Sequence, residues 1–536
     1  MNKSVHYLFL LLYVVLGILQ SILSEPIEDE AYYWVYAQNL DFGYFDHPPM
    51  VAFFIHLGQV LFESNLGLRI LFLASFIGSI HIWYTLIKPK SELVFHSLIS
   101  SIVVFHVFGI FAVPDLPLLL FTSLFLWQLK EIEHRPSNLK YGILGLLLAL
   151  VFYSKYHGIL LPLFMVLAQP KLFKSAGIYI MTGVCILFFL PHIYWQVSND
   201  FPTLKFHLFN RVSSGFSLNQ PLEYLGQVLM IFGPFAGILL LIFGLRKKPE
   251  NAFEKYLKYL VFGGILFFLL MSFRGRTEGN WIIFFFPALV VLGYPLLETY
   301  LLKRKSLWIG LFISFALLGV VIRGHAMFNL FPGMKVSPRM HEMKSFAFIA
   351  DSISQGHPMV FMNSYQKPSL VKYHTQAKAS SYINHYGRPS QYQIWNLTDS
   401  FAGDTVVLFG KHIGDAQKVP GMDKNLYAKI IPDFRAYESL NFELGEIRES
   451  QGSKDSLELV LNFNQALDSS DLKRLQIFVK DFSSSDYGES FQLFPVQNQT
   501  KHFLIKLPKS DHESDYGLAL NPRDLPPGRF QAKLKF

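Results

Sequence analysis

The sequence predicts a polytopic α-helical membrane protein with about 11 spans, followed by a soluble α/β and β-rich region. Three observations lead to this fold class. The chain is 51% hydrophobic and only 16% charged, whereas soluble domains average ~25% charged residues. Long apolar runs alternate with short basic clusters up to about residue 330. From about residue 335 the composition changes to that of a soluble protein. Lipid is therefore the expected solvent of the first part.

The apolar runs approach the ~20 residues that an α-helix needs to cross a ~30 Å hydrocarbon core. They are residues 5–23, 66–87, 92–113, 115–130, 139–154, 157–170, 175–195, 222–245, 256–273, 281–301 and 306–323. Several are short, so a re-entrant or merged segment would change the number of spans by about two. The first run follows Lys3 as in a signal peptide, but 21–24 is a poor cleavage site, which favours a retained anchor.

The distribution of Lys and Arg predicts the orientation. With a cytoplasmic N-terminus, basic clusters such as 246–258 and 303–305 fall in the cytoplasm, whereas residues 24–67 contain no Lys or Arg. The positive-inside rule favours that arrangement and leaves the C-terminal region outside. Because the same short clusters account for the net charge of +8, we expect no nucleic-acid partner.

Three domains are predicted along the chain. Residues 1–330 form the transmembrane domain, with a first outer loop at 24–66. Residues 335–430 combine a helical stretch, 343–353, with β-like runs, which indicates a small outer α/β domain. Residues 431–536 contain β-like runs separated by Ser, Asp, Gly and Pro, which is typical of an outer β-sandwich.

The first outer loop begins with four carboxylates within residues 25–30. They precede Tyr33, Tyr36, Ala37 and Leu40, which recur at helical spacing. This pattern predicts an amphipathic helix in the headgroup layer, with acidic residues stabilised at its N-terminus by the helix dipole. Capping is sufficient to explain the first two carboxylates, and the two at positions 29 and 30 remain candidates for chemistry.

A second polar cluster, Gly43-Tyr44-Phe45-Asp46-His47-Pro48-Pro49-Met50, follows in the same loop. The diproline cannot continue a helix and holds the residues before it extended. Asp46 and His47 are therefore expected to project from a fixed backbone. Carboxylates beside an imidazole suit either general acid–base catalysis or a metal site, and spacing alone leaves both open.

Together, Asp-Glu-Ala-Tyr-Tyr-Trp at 29–34 and the cluster at 43–50 resemble the first-loop signature of bacterial GT-C membrane glycosyltransferases. These are similar to the protein O-mannosyltransferases and the lipid A aminoarabinose transferases. Shorter fragments at 67–69, 114–117, 154–156 and 280–281 extend the resemblance. It implies an inverting enzyme that moves a monosaccharide from a polyprenyl-phosphate donor to a glycan, lipid or protein acceptor. The reaction would occur at the outer face of the bacterial inner membrane.

The resemblance also implies roles for single residues. Asp29 would be the principal catalytic carboxylate, supported by Glu30, since a base within hydrogen-bond reach helps a neutral hydroxyl to attack. The phosphate leaving group needs cations. Lys155, isolated between apolar runs, is the first candidate for that contact. The other phosphate-binding candidates are His47, at a position where related transferases can carry Lys, Arg69, Arg274 and Arg276.

The remaining assignments concern substrate, metal and partners. Asp115, Tyr33, Glu278 and Asn280 are expected to bind substrate. Asp46 resembles a metal-binding carboxylate, so a divalent ion is allowed while no cofactor is obligatory. The donor's isoprenoid tail would enter laterally from the membrane lipid.

No Walker motif or serine elbow supports ATP-driven transport or hydrolysis. A protein O-mannosyltransferase, a lipid-linked sugar flippase or transporter, and a scaffold remain the alternatives. Residues 382–392 form either an acceptor-facing cover or an ordinary turn.

Overall fold

The structure, a computed structural model, describes residues 4–206, 219–334, 339–411, 413, 415–420, 425–449, 456–482, 488–496, 500–508, 515–522 and 524–535. Residue 335, at which the predicted α/β domain begins, lies outside this set. The chain divides into two compact units, Met1–His341 (unit 1) and Glu342–Phe536 (unit 2). The predicted division into three domains stays a prediction.

Unit 1 is helical. Its α-helices are α1 (Ser4–Leu23), α2 (Glu28–Ala37), α3 (Met50–Leu61), α4 (Asn65–Ile87), α5 (Glu92–Ser100), α6 (Val103–Phe108), α7 (Asp115–His134), α8 (Asn138–Ser154), α9 (Leu160–Ala168), α10 (Ala176–Ser198), α11 (Pro202–Lys205), α12 (Asn219–Phe232), α13 (Ala236–Arg246), α14 (Ala252–Lys258), α15 (Gly264–Ser272), α16 (Phe286–Leu301) and α17 (Lys305–Phe328). Short 3-10 helices occupy Tyr156–Ile159, Pro170–Lys174, Gly279–Phe285 and Leu302–Arg304, and a π-helical turn occupies Tyr259–Gly263.

All the predicted apolar runs fold into helix, but several are broken. Within the described residues, five helical stretches are long and apolar enough to cross a membrane alone: Ser4–Leu23, Asn65–Ile87, Ala176–Ser198, Ala252–Ser272 and Gly279–Phe328. The last of these includes two predicted spans. The pair α12 and α13 passes the same test together but bends by 101°. The run at 92–113 is split into α5 and α6, and α8 and α9 are short. Breaks of this kind are tolerated at membrane depth where protein or a cavity surrounds the backbone.

Helix α2 differs from the amphipathic surface helix that the sequence predicts. Seven of its ten residues are buried, including Tyr32 and Val35 as well as Tyr33 and Tyr36. It ends before Leu40, which is exposed. The helical spacing identified one apolar side correctly, but aromatic residues cover the other sides too. The helix therefore packs inside unit 1 and is not the exposed amphipathic helix that the sequence predicts.

Helix α3 is an element of the first loop that the sequence analysis did not identify. Its 12 residues are strongly apolar but too few to cross a bilayer. Pro49 immediately precedes it, which suits a residue with a fixed φ and no N–H at a helix start. Phe53, Val60 and Leu61 are exposed along it. The diproline thus starts a helix and also ends the polar cluster.

Unit 2 combines α-helices with three sheets. The helices are α18 (Met343–Ser354), α19 (Gln366–Thr375), α20 (Gln391–Trp395) and α21 (Ser469–Arg474), with a 3-10 helix at Leu397–Phe401. The strands are β1 (Met359–Met362), β2 (Ala379–Tyr382), β3 (Val406–Gly410), β4 (Gln417–Lys418), β5 (Tyr427–Ile431), β6 (Phe442–Glu449), β7 (Ser456–Phe463), β8 (Leu475–Asp481), β9 (Glu489–Gln492), β10 (Phe494–Pro495), β11 (His502–Pro508), β12 (Asp515–Pro522) and β13 (Phe530–Lys535).

The strand pairing separates an α/β sheet from a β-sandwich. The five-stranded sheet has the order β2-β1-β3-β5-β4, in which β1 runs parallel to β2 and β3. The other two sheets, β10-β11-β7-β6 and β13-β12-β8-β9, are antiparallel. Leu459 and Leu461 of the first pack in one core with Ile477 and Leu518 of the second. Alternating apolar residues along β7 and β8 produce that shared core.

Glu438, between β5 and β6, is expected to make the stability of unit 2 depend on pH. Its Oε1 accepts a hydrogen bond of 3.3 Å from Gln393, while its Oε2 has no partner in the described part of the structure. Burial raises the pKa of Glu438 to about 7, and the neighbouring Asp399 acts in the same direction. The folded state therefore retains a proton that the unfolded chain loses near pH 4.5. The contribution of Glu438 to the free energy of unfolding is fully present below that pH and falls by about 1.4 kcal/mol for each pH unit up to about 7.

Hydrogen exchange of the backbone around residues 436–440, measured in the intact protein from pH 4.5 to 8 and corrected for intrinsic exchange, tests this expectation. Protection should fall as the pH rises, and Glu438→Gln should remove most of the slope. An unchanged slope in that variant would show that another group titrates.

Candidate active site

Glu30 and Arg69 form a buried bidentate ion pair near the start of α2. Arg69 Nη2 lies 2.6 Å from Glu30 Oε2, and Arg69 Nε lies 2.8 Å from Glu30 Oε1. Both side chains are fully buried. The backbone N–H groups of Ile27 (3.0 Å) and Ala112 (2.8 Å) also donate to this carboxylate. Glu30 therefore joins α2, α4 and the segment before α7.

These contacts assign positioning roles to both residues. A carboxylate has about four acceptor positions, and four donors occupy those of Glu30. The remaining donors of Arg69 bond to Ser24, Ser21 and the Glu25 carbonyl. The geometry therefore gives no support to Glu30 as a general base or to Arg69 as a phosphate ligand.

Asp29 lies in the first turn of α2, next to this ion pair. Its side chain is half-buried, in contrast to the fully buried Glu30. The N–H of Ile27, at the helix start, is held by the Glu30 carboxylate, so the backbone on both sides of Asp29 is fixed. A fixed backbone limits the directions in which the Asp29 carboxylate can point. Its catalytic role stays a prediction.

Asp115, Lys155 and Asn280 come together from three elements. Lys155 Nζ lies 2.7 Å from Asp115 Oδ1, and Asn280 Nδ2 lies 3.3 Å from Asp115 Oδ2. Asp115 is the first residue of α7, where the helix dipole favours a carboxylate. Lys155 lies at the extended break after α8. Asp115 and Lys155 are buried, and an ammonium has three donors, of which this pair uses one.

The ion pair of Glu30 brings α2 close to this cluster. The N–H of Ala112 donates to Glu30, and Ala112 is three residues before Asp115. Three residues span at most about 11 Å, so the Glu30 carboxylate lies within about 14 Å of the Asp115 backbone nitrogen. The start of α2 and the Asp115–Lys155 pair therefore belong to one small region of unit 1.

A second connection joins the first loop to the residue after Lys155. His192 Nδ1 lies 2.6 Å from the carbonyl oxygen of Phe42. Because a carbonyl only accepts, Nδ1 carries the proton, and Nε2 of the neutral ring accepts from the Tyr156 hydroxyl at 2.8 Å. Gln196 Nε2 in turn donates to that hydroxyl. The first loop is thus hydrogen-bonded to Ala112, three residues before Asp115, and through His192 to Tyr156, the residue after Lys155.

Sequence analysis missed His192 and Gln196. They lie four residues apart near the end of α10, on one side of a helix that is otherwise apolar. Both are buried. Two polar residues at helical spacing inside an apolar run were the available signal.

Asp46 and His47 are held by the tyrosines of α2. The hydroxyls of Tyr32 and Tyr36 donate to Asp46 Oδ2 at 3.0 and 3.2 Å. Burial raises the pKa of Tyr36 well above its ordinary value, so this hydroxyl remains a donor. The Tyr33 ring packs edge-on against the half-buried His47 ring, with centroids 5.6 Å apart. Tyr33 therefore supports His47, and its predicted contact with substrate stays a prediction.

Known proteins similar to this chain share both sequence and fold features with it. Residues 46–195 match a family described as dolichyl-phosphate-mannose-protein mannosyltransferase. The lipid A galacturonosyltransferase RgtD of Rhizobium johnstonii is 24% identical over 301 residues, which cover 53% of this chain and 63% of RgtD. The crystal structure of ArnT from Cupriavidus metallidurans in the apo state superposes with a TM-score of 0.59 at 14% identity, over 80% of this chain and 98% of ArnT. In fold, the chain is similar to ArnT over most of its length.

A second ArnT structure, bound to undecaprenyl phosphate, superposes on this chain with a TM-score of 0.58, also at 14% identity and with the same coverage. The resemblance that the first loop predicted is therefore confirmed. So is the predicted fold class, a polytopic helical membrane protein with a β-rich region. The chain spans about three fifths (63%) of the length of the curated relative that it matches.

Three further residues that the sequence predicts for the site lie in the segment before Asn280. Arg274 and Arg276 are exposed, and Arg276 pairs with Glu278 at 3.3 Å, with 71% of the Arg276 side chain exposed. An exposed pair of this kind contributes little to stability. The structure brings neither arginine into the Asp115–Lys155 cluster, and their predicted phosphate contacts stay predictions, as does a sugar contact of Glu278.

The residues around Asp46 do not fit a protein-only metal site. In the described part of the chain, no group of three or more His, Cys, Asp and Glu side chains is arranged to hold a metal ion. One Asp46 oxygen instead accepts two tyrosine hydroxyls. A divalent ion at Asp46 stays a prediction.

Replacement of Lys155 by Met is expected to lower kcat about 100-fold, because removal of one preorganised charge partner typically costs 10²–10³ in kcat. The change also leaves Asp115 buried without its cation. The measurement is the steady-state rate at saturating donor. Lys140→Met, which removes the half-exposed partner of Glu131, is the matched control and should stay within about threefold. Equal rates for both variants would exclude a special role for Lys155.

Proposed function

We propose that the protein is an inverting glycosyltransferase that moves a monosaccharide from a polyprenyl-phosphate donor to an acceptor at the outer face of the bacterial inner membrane. One observation carries the proposal. The first loop, which bears Asp29, is tied through Glu30 to the segment leading to Asp115 and through His192 to Tyr156, beside Lys155. Asp29, the candidate base, and Lys155, the candidate cation for the phosphate, are thus carried by segments that hydrogen bonds join together.

The proposed chemistry assigns one task to each of these groups. Asp29 accepts the proton of the acceptor hydroxyl while that oxygen attacks the anomeric carbon of the donor sugar. The bond from that carbon to the phosphate oxygen breaks, and its electron pair stays on the phosphate. Lys155 stabilises the charge that develops there. Attack from the side opposite to the leaving group inverts the anomeric centre, and the products are a glycoside and a polyprenyl phosphate.

The comparisons support the donor and favour a lipid acceptor. An ArnT structure holds undecaprenyl phosphate, and RgtD is described as a lipid A galacturonosyltransferase. We therefore prefer an acceptor of the lipid A class. The name of the matching family favours a second candidate, a protein O-mannosyltransferase.

The proposed orientation follows from the basic clusters of the sequence. The α13–α14 connection contains Lys247 and Lys248, and the turn before α17 contains Lys303 and Arg304. The start of α2 is acidic. A cytoplasmic N-terminus places the first two groups in the cytoplasm and α2 on the outer side. Unit 2 would then be periplasmic or extracellular.

The test is transfer by the purified protein in proteoliposomes supplied with a panel of labelled polyprenyl-phosphate sugars. Lipid A and a Ser/Thr-rich peptide are offered as separate acceptors. Label in lipid A is the expected result, whereas label only in the peptide would establish the mannosyltransferase alternative. Movement of intact donor across the bilayer without transfer to any acceptor would contradict the proposal and favour a flippase.

A further inference from the structure

In unit 2, the connections that follow the parallel strands β1 and β2 carry aromatic and basic side chains. β1 lies between β2 and β3 and runs parallel to both. Open α/β sheets commonly bind ligands outside the carboxyl ends of such strands. Tyr365 lies in the connection after β1, and Tyr386 and Arg388 lie in the connection after β2. Tyr386 is 63% exposed.

Two cations lie against these two tyrosines. The Arg388 guanidinium is 5.5 Å from the ring centroid of Tyr365, and its Nη1 lies 3.4 Å from the Tyr365 hydroxyl. Lys480, from β8 of the sandwich, donates to the Tyr386 hydroxyl at 2.9 Å and lies 5.1 Å from that ring. We call Tyr365, Tyr386, Arg388 and Lys480 the Tyr386 surface. It combines aromatic faces with positive charge and is built from both sheet systems of unit 2.

The backbone under the Tyr386 surface is fixed. The N–H of Asn384 donates to Asn363 Oδ1 (3.1 Å), and the N–H of His385 donates to the carbonyl of Pro527 (3.1 Å). A Cβ at Gly387 would lie only 2.2 Å from Asn363 Oδ1, so glycine permits this close approach. The loop is therefore preorganised. The Tyr386 ring packs against the His385 ring, with centroids 3.9 Å apart, yet most of the Tyr386 side chain stays exposed. An exposed aromatic side chain on a preorganised loop suits recognition of a ligand.

We propose that the Tyr386 surface binds an anionic saccharide, namely a sugar bearing phosphate or carboxylate groups. A tyrosine ring offers a flat amphipathic face for the apolar side of a pyranose. Guanidinium and ammonium groups bind phosphate and carboxylate oxygens through charge-assisted hydrogen bonds. This assignment rests on the proposed function: the Tyr386 surface would recognise the sugar headgroup of the acceptor, and other residues would carry out the chemistry.

The test is binding of a water-soluble glucosamine disaccharide bisphosphate to the intact protein in nanodiscs, by calorimetry. Because this probe has no acyl chains, it does not partition into the nanodisc lipid, and a binding signal reports contact with the protein. The dephosphorylated disaccharide and inorganic phosphate separate the contributions of sugar and charge. Tyr386→Ala and Arg388→Gln are the test variants. Lys418→Gln, at the exposed strand β4 on the far side of the five-stranded sheet, removes one positive charge as a control.

We expect each test variant to raise the Kd for the bisphosphate at least tenfold and the control to change it less than twofold. The dephosphorylated probe should bind the wild type at least tenfold more weakly than the bisphosphate does. Unaltered affinity in both test variants, no binding to the wild type, or equally tight binding of inorganic phosphate would overturn the proposal. Transfer assays on the same variants should show a raised acceptor KM with kcat unchanged. Saccharide binding without any sugar transfer would contradict the proposed function alone.

Discussion

Asp29→Asn is expected to lower the rate of sugar transfer about 1,000-fold, within the 10²–10⁴ range typical of a lost general base. The amide keeps the size of the side chain but cannot take a proton from the acceptor hydroxyl. Asp29 lies outside the Glu30–Arg69 ion pair, which holds the adjacent backbone. The helix start should therefore survive the change. The measurement is kcat in proteoliposomes at saturating donor and acceptor, with protein amounts matched.

Glu28→Gln is the matched control for this experiment. Glu28 lies in the same first turn of α2 and is half-buried like Asp29, so its loss removes a similar charge from the same helix end. We expect its kcat to stay within about threefold of the wild type, because dipole effects at a helix end amount to about 0.3–1 kcal/mol. If both variants lose activity equally, the helix end matters electrostatically and Asp29 is not the base.

Arg69→Met is expected to destabilise unit 1 by about 3–5 kcal/mol, the usual cost of leaving a buried charge without its partner. Glu30 would keep only the backbone donors of Ile27 and Ala112. Ser24 and the carbonyls of Ser21 and Glu25 would lose their donors as well. The measurement is the unfolding midpoint of the purified protein in mixed micelles, together with its yield in membranes.

The double variant Arg69→Met/Glu30→Gln separates charge from packing. Removal of both charges should recover part of the lost stability, because the penalty comes from the unpaired carboxylate and the two effects are not additive. Arg276→Met, which removes an exposed pair, should change the midpoint little. A double variant no more stable than Arg69→Met would indicate that the lost hydrogen bonds to Ser24 and its neighbours dominate.

Much of the fold could be predicted because it depends on local pattern. Runs of apolar residues have to be helical in lipid, where every backbone group needs an internal partner. The β-like runs predicted within 431–536 include β7 and β8, and they were recognisable for a similar reason, because one side of each strand faces the core. The first loop was recognisable because unusual residues, two carboxylates and a diproline, lie close together in sequence.

The arrangement of the candidate site could not be predicted in the same way. Glu30 bonds to residues 39 and 82 positions away, and His192 bonds to Phe42 at a separation of 150. Such pairs depend on how the helices pack against each other. The spacing of residues along a single sequence does not reveal that packing. The sequence analysis expected Glu30 to support Asp29 and Arg69 to bind phosphate. In the structure the two side chains pair with each other and are fully buried, an arrangement that no sequence spacing indicated.

The most direct test of the central claim is the release of polyprenyl phosphate during transfer. Purified protein in proteoliposomes is given a donor labelled in both sugar and lipid, with and without lipid A, and both products are quantified over a single turnover. The proposed function predicts one polyprenyl phosphate released for each sugar transferred, release that depends on the acceptor, and loss of both in Asp29→Asn. Sugar transfer with the lipid phosphate still attached to the product, or no release with any donor of the panel, would contradict it.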